Sequence, residues 1–283
     1  MNKLSNAIKY VVLSIAAFVS IFPFLWMIMG TTNETRDIVS GKIKIGGKFL
    51  INMKTLFEND LDFPKALVNS AVIAVLTTVF ALLLSSMAGY GFEIFKSKGR
   101  ERIFNVMLLS MMVPFAAMMI PLYRMFTKLN QIQIGSVKLS TYFGINSLFV
   151  VIVPSVATAF LIFLFRQNIK AFPKDLVEAA RIDGLGEWEI FARIYMPTAK
   201  NTYAAAAIIT FMSSWNNYLW PLVALQSPEK RTVPLILSAM GASYTPDYGM
   251  MMCGIVIATL PIALIFFILQ KQFVAGMMGS VKG

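Results

Sequence analysis

Six long stretches of the chain carry no Asp, Glu, Lys or Arg: residues 10–33, 66–92, 103–123, 139–165, 201–228 and 248–270. Each exceeds the ~20 apolar residues with which a helix crosses a ~30 Å hydrocarbon layer. A segment in lipid must satisfy its own backbone hydrogen bonds, so each stretch reads as a helix. The pattern predicts an all-α integral membrane protein with six transmembrane helices, at about 10–31, 67–92, 103–124, 143–166, 201–224 and 248–270. The whole chain, 1–283, is expected to form a single transmembrane domain. A large buried soluble core is the competing reading, and six uncharged windows of this length oppose it. Lys3 and Lys9 precede the first window as they would in a signal peptide. A signal h-region runs only ~7–15 residues. This window runs about twice that, through Phe22, Pro23 and Trp26, and is expected to be retained as a helix.

Composition sharpens this picture. Hydrophobic residues make up 57% and charged ones 14%, against ~45–50% and ~25% in soluble domains. The net charge of +11 suits loop Lys and Arg beside anionic headgroups better than a nucleic-acid partner, and no nucleic acid is expected. With a cytoplasmic N-terminus the inner stretches hold 14 Lys and Arg and the outer stretches 11. The densest set is Lys96, Lys98, Arg100 and Arg102. An even number of spans then places both termini on the cytoplasmic side.

Several chemistries have no residues to carry them. Cys253 stands alone and there is no His, so neither an internal disulfide nor a Cys/His metal set forms. No phosphate loop or dinucleotide fingerprint occurs, and no paired membrane carboxylate offers acid–base catalysis. Ion-coupled carriers use ionisable residues inside the membrane. The uncharged windows therefore favour an uncharged substrate and an external source of energy. An ion-coupled secondary carrier is the alternative function, and a membrane enzyme is a third. Pro residues within or near all six windows suit a protein whose helices kink and move. The Met residues clustered at 107–119 and 250–252 read as adaptable packing.

The connection between the fourth and fifth windows is too long for a simple hairpin, and residues 173–197 have helical grammar. Pro173 suits a first helical position. Asp175 and Glu178 complement a helix N-terminus. Leu176, Ala179, Ala180 and Asp183 fall at helical spacing, and Gly184 is the expected stop. A second short helix carries Trp188, Ile190, Phe191 and Ile194. Ala179 and Ala180 form a small-residue face that another surface can approach closely. Leu176, Trp188 and Phe191 would be costly to leave in water. A docking element is expected, with a helix lying on the membrane surface as the alternative.

Glu178-Ala179-Ala180, then Gly184, then Ile194-Tyr195-Met196-Pro197 nine residues later, resembles the cytoplasmic signature of ABC importer permeases. Met196 replaces the usual Leu. Asn69-Ser70, Ala88-Gly89-Tyr90-Gly91-Phe92, Pro121-Leu122-Tyr123 and Trp215-Asn216-Asn217-Tyr218 are similar to segments of binding-protein-dependent sugar permeases. Gly89 and Gly91 stand where related chains often have Ala. The tail Phe273, Gly276, Gly279, Ser280 and Lys282 is similar to the second permease subunit of maltose-type transporters. The resemblance implies the type I importer permease fold and a cytoplasmic coupling helix. It also implies a second permease subunit, two ATPase subunits that bind ATP and Mg, and an extracytoplasmic sugar-binding protein. This chain itself would hold no cofactor. Glu178, Ala179, Ala180, Gly184, Ile194 and Pro197 would couple to an ATPase subunit, and Gly279 and Lys282 would touch the ATPases from the tail. A di- or oligosaccharide would cross by alternating access.

A sugar path needs polar groups and flat apolar faces within the bilayer. Trp215, Asn216, Asn217 and Tyr218 supply both in the fifth window. Asn216 is the foremost candidate for the cavity. The alternative is that these amides join helices to one another.

Overall fold

The computed structural model describes residues 3–129, 133–134, 137–138 and 143–279. Its helices, in order, are α1 (Lys3–Gly30), α2 (Thr35–Val39), α3 (Phe49–Glu58), α4 (Phe63–Ile94), α5 (Lys98–Ser110) and α6 (Phe115–Leu129). Then come α7 (Phe149–Ile152), α8 (Ala159–Lys170) and α9 (Lys174–Ile182). The composite α10 runs from Glu187–Glu189 through a π-helical stretch, Ile190–Tyr195, to Met196–Thr198. The series closes with α11 (Lys200–Trp215), α12 (Leu219–Ala224), α13 (Val233–Gly241) and α14 (Tyr248–Gly279). Among the described residues the only extended pairing is antiparallel, Gln133 with Lys138 and Ile134 with Val137.

Four stretches are long and apolar enough to cross a membrane: Asn6–Gly30, Phe63–Ile94, Phe149–Lys170 and Tyr248–Val274. The third uncharged window is divided instead. Helices α5 and α6 qualify as a span only together and meet at 106°. Pro114 explains the break, because it has no N–H to donate and disfavours helical geometry at Val113. The fifth window is divided too. At 16 residues, α11 covers about 24 Å at 1.5 Å per residue, short of the ~30 Å layer. Residues 216–218 separate it from α12.

The chain forms two compact units: residues 1–67 with 233–261, and residues 68–232 with 262–283. In the first unit, the Asn52 amide donates to Thr31 O and Asn33 O at 2.8 and 2.9 Å. Asn33 donates to Met29 O and Lys44 O. Gly249 faces this polar knot, and a Cβ there would fall 2.6 Å from Asn52 Nδ2.

Among the described residues the second unit has three apolar cores. One gathers Ile73, Phe126, Val150, Val151, Ile152 and Trp220, and the Trp220 indole donates to Val150 O at 2.7 Å. A smaller one joins Ala81, Leu161, Phe165 and Ala206. The third ties the end of α4 to α9 and α10 through Tyr90, Ile169, Val177, Ala180, Phe191 and Tyr195. Asn69 donates to Glu229 O and Arg231 O, both at 2.9 Å, and so holds the loop after α12.

Candidate functional site

The segment after α8 is a helix pair, as its grammar predicts. Helix α9 starts one residue later than expected, with Pro173 in the extended N-cap position. It stops at Gly184, which takes φ +82°. The Gly184 N–H donates to Arg181 O at 3.1 Å and the Leu185 N–H to Ala180 O at 3.0 Å. These are the two bonds of a Schellman cap, which requires the left-handed backbone that Gly adopts without cost. Helix α10 is capped in turn by Glu189 Oε2, which accepts from the Gly186 N–H.

Helical periodicity divides the predicted coupling residues. Val177 and Ala180, three apart, point into the core beside Tyr90 and Tyr195. Ala180 therefore packs within the chain, and its small size lets α9 sit close to that core. Glu178, Ala179 and Gly184 are exposed, as are Leu176, Ile182 and Trp188. Ile194 is half-buried and Pro197 exposed. Arg181 donates to Glu187 at 2.7 Å, and that hydrogen bond holds the Arg181 guanidinium above its ordinary pKa. The Tyr90 hydroxyl donates to the other Glu187 oxygen at 3.3 Å. The loop is thus fastened to the end of α4 by apolar packing and by the Tyr90–Glu187 hydrogen bond. Gly279 closes α14, and Lys282 lies outside the described residues.

The break after Trp215 lies deep in an uncharged window. Trp215 is buried and stacks on Phe211, with ring centroids 5.8 Å apart. Asn216 is exposed, while Asn217 and Tyr218 are half-buried. Asn216, Asn217 and Tyr218 border a cavity of about 420 Å³ with Phe115 and Leu219. A second cavity, of about 260 Å³, shares Ser155, Ser213 and Asn217 with the first and adds Thr77, Thr158 and Thr210. The irregular backbone at 216–218 lines a cavity. Among the described residues, no Asp, Glu, Lys or Arg borders either space.

Sequence reasoning did not single out Thr77, Ser155, Thr158 or Thr210. Each is a hydroxyl residue within an uncharged run, and only the packing of three chain segments brings them together. It also missed the cluster of Arg166 with Glu93 and Glu101. A signal for that cluster was present, because Glu93 and Arg166 are the first charges after two of the uncharged windows.

Residues 81–279 match the family described as the binding-protein-dependent transport system inner membrane component. The chain belongs to this family. It is similar to the lactose transport system permease protein LacG of Rhizobium radiobacter, with 49% identity over 99% of this chain and 98% of that protein. The arabinooligosaccharides transport system permease protein AraQ of Bacillus subtilis (strain 168) is 36% identical over 93% of this chain and 91% of its own. In fold the chain resembles a bacterial ABC transporter involved in import of the acidic polysaccharide alginate. That match has a TM-score of 0.81 and 19% identity, and covers 96% of this chain and 97% of the other. The chain is therefore a membrane permease of the all-α importer type, with Glu178, Gly184 and the 216–218 break inside the matched region.

Proposed function

We propose that this chain is one permease subunit of an ATP-driven sugar importer, carrying a di- or oligosaccharide of the kind named for its relatives. It pairs with a second permease, two ATPase subunits that hold ATP and Mg, and an extracytoplasmic binding protein that delivers the sugar. The observation that carries this reading is the 173–197 loop. Its exposed face, with Leu176, Ala179, Ile182 and Trp188, offers apolar area to a partner. Its buried face, with Val177 and Ala180, packs with Tyr195 of the same loop against Tyr90 at the end of α4. A push on the outer face is therefore passed to α4 instead of being absorbed by a slack loop.

In this reading the six uncharged windows form the single membrane domain, both termini are cytoplasmic, and α9 seats in a cleft of one ATPase subunit. Residues 279–283 reach the ATPase pair. Closure of that pair on ATP moves the helices from inward- to outward-facing, and the sugar passes Asn216, Asn217 and Tyr218 on its way through. Ala179→Arg tests the loop, since it places a long charged side chain on the exposed face and leaves the core side untouched. The complex is expected to assemble in the membrane and to lose sugar-stimulated ATP hydrolysis. Normal coupled transport by the complex carrying Ala179→Arg would remove the loop from the mechanism.

A further inference from the structure

The end of α4 has two faces with different surroundings. Gly89, Tyr90 and Glu93 are buried in the protein. Ala88, Gly91, Phe92 and Phe95, at helical spacing, instead line a groove of about 240 Å³ that Arg100 of α5 also borders. Its floor is open, since a Cβ at Gly91 would meet nothing within 4 Å. From Ala88 to Phe95 the groove runs about 10 Å along the helix, at 1.5 Å per residue. It starts inside the span Phe63–Ile94 and ends among the first charges after the uncharged window 66–92. Arg100 donates to Phe95 O, and its guanidinium lies 5.7 Å from the centroid of the Phe95 ring. Arg100 is exposed, as are Lys98 and Arg102. The carboxylates of this corner are engaged elsewhere, Glu93 with Arg166 and Lys96, and Glu101 with Arg166. Among the described residues no carboxylate pairs with Lys98, Arg100 or Arg102.

We propose that this groove holds one anionic phospholipid, with an acyl chain lying over Gly91 and the phosphate at Arg100. An apolar trough that leaves the hydrocarbon layer beside an unpaired guanidinium has the two parts of a lipid in their natural order. The guanidinium carries five donors in a planar fork. The Phe95 carbonyl engages one nitrogen and leaves the others for phosphate oxygens. Lys98 and Arg102 each stand two positions from Arg100, well within the ~10 Å over which salt leaves a charge unscreened. They add field at the phosphate without touching it. That field favours a headgroup of net negative charge, because the ammonium of a zwitterionic headgroup meets the same cations. Clusters of Lys and Arg immediately past a membrane helix hold anionic lipid in this way. A free phosphate ion would use Arg100 and leave the trough empty, so the lipid is the occupant. On its buried face the same helix end carries Tyr90 against the 173–197 loop. Lipid and loop thus grip one turn of α4 from two sides, whichever sugar the protein carries.

The test uses the full chain in its complex, purified in detergent and stripped of lipid. It is titrated with phosphatidylglycerol or with phosphatidylcholine, and retained lipid is counted by native mass spectrometry. Phosphatidylglycerol is expected to be retained at concentrations where phosphatidylcholine is not. Arg100→Gln should weaken that retention about fivefold, the factor that one basic residue contributes beside an anionic surface. Lys98→Gln combined with Arg102→Gln should weaken it roughly tenfold or more. Gly91→Leu fills the trough and leaves every charge in place, and should remove one phosphatidylglycerol from the count. Complex yield and lipid-free melting temperature of Gly91→Leu should match those of the natural chain. Equal retention by Gly91→Leu and the natural chain would overturn the proposal, because the cations would then attract lipid without seating it. Displacement of the lipid by inorganic phosphate would overturn it too, as the sign of a simple ion site. So would a loss of complex yield in Gly91→Leu, the sign that another subunit covers the groove.

Discussion

Arg166 Nε and Glu93 Oε2 lie 3.2 Å apart, with each side chain only 2% exposed. These two charges close the uncharged windows 139–165 and 66–92, and they close them on each other. Glu101 Oε2 approaches the same guanidinium at 2.5 Å, and Lys96 Nζ reaches Glu93 Oε1 at 2.5 Å. The guanidinium also covers the Phe104 ring, 4.0 Å from its centroid. The cluster ties α4 and α8 to the first turn of α5, next to the loop that α8 enters.

Removing one partner of a buried ion pair strands the other, at about 3–5 kcal/mol. Arg166→Met is expected near the lower end, about 3 kcal/mol, because Lys96 still faces Glu93. The check is the thermal midpoint of the detergent-solubilised complex, which should fall by several degrees. Arg166→Met combined with Glu93→Leu should recover part of that fall. A single variant as stable as the natural chain would show that the cluster contributes nothing.

Gly89 and Gly91 give a paired test of packing. A Cβ at Gly89 would sit 2.9 Å from Arg166 N and from Phe165 Cβ, whereas a Cβ at Gly91 meets nothing within 4 Å. Gly89→Ala should cost roughly 1–3 kcal/mol, because backbone has to move. Gly91→Ala should be neutral, or stabilising by about 0.5–1 kcal/mol, from the gain in helix propensity. Melting temperatures of the two variants, measured side by side, decide the matter. Equal effects would mean that α4 and α8 are not in this close contact.

The cap of α9 makes a third prediction. Gly184→Ala forces an L side chain to φ +82°, at a cost of about 1 kcal/mol. No neighbour lies within 4 Å of the added carbon, so the effect should stay local. We expect normal insertion and assembly, with sugar-stimulated ATP hydrolysis reduced severalfold as α9 frays. Full stimulation would show that the cap is dispensable for coupling.

Much of this arrangement can be read along the chain. Uncharged runs mark the membrane segments because charge is what lipid excludes, and Gly184 marks the helix stop because few other residues take its backbone angle. Pro114 hints at the sharp turn between α5 and α6, but its angle depends on what packs around it. Ala179 and Ala180 look alike in sequence. Only the position of Tyr90 and Tyr195 decides that Ala180 turns inward, so Ala180→Arg would probe folding and not docking. Thr77 and Thr210 are 133 positions apart in numbering and become neighbours of one cavity only through the packing of α4 and α11.

Asn216 separates two readings of the helix break. Asn216→Leu is expected to lower transport or alter sugar preference, with complex yield and sugar-independent ATP hydrolysis unchanged. If the amide instead joins helices, yield falls first and transport per complex holds. Both quantities are to be measured on one preparation.

In the proposed transport cycle, ATP on partner subunits drives sugar movement through this chain. The most direct test is uptake by the complete complex in proteoliposomes, with ATP and an ion gradient varied independently. Accumulation of the sugar is expected with ATP alone, and none with the gradient alone. Accumulation driven by the gradient in the absence of ATP would contradict it.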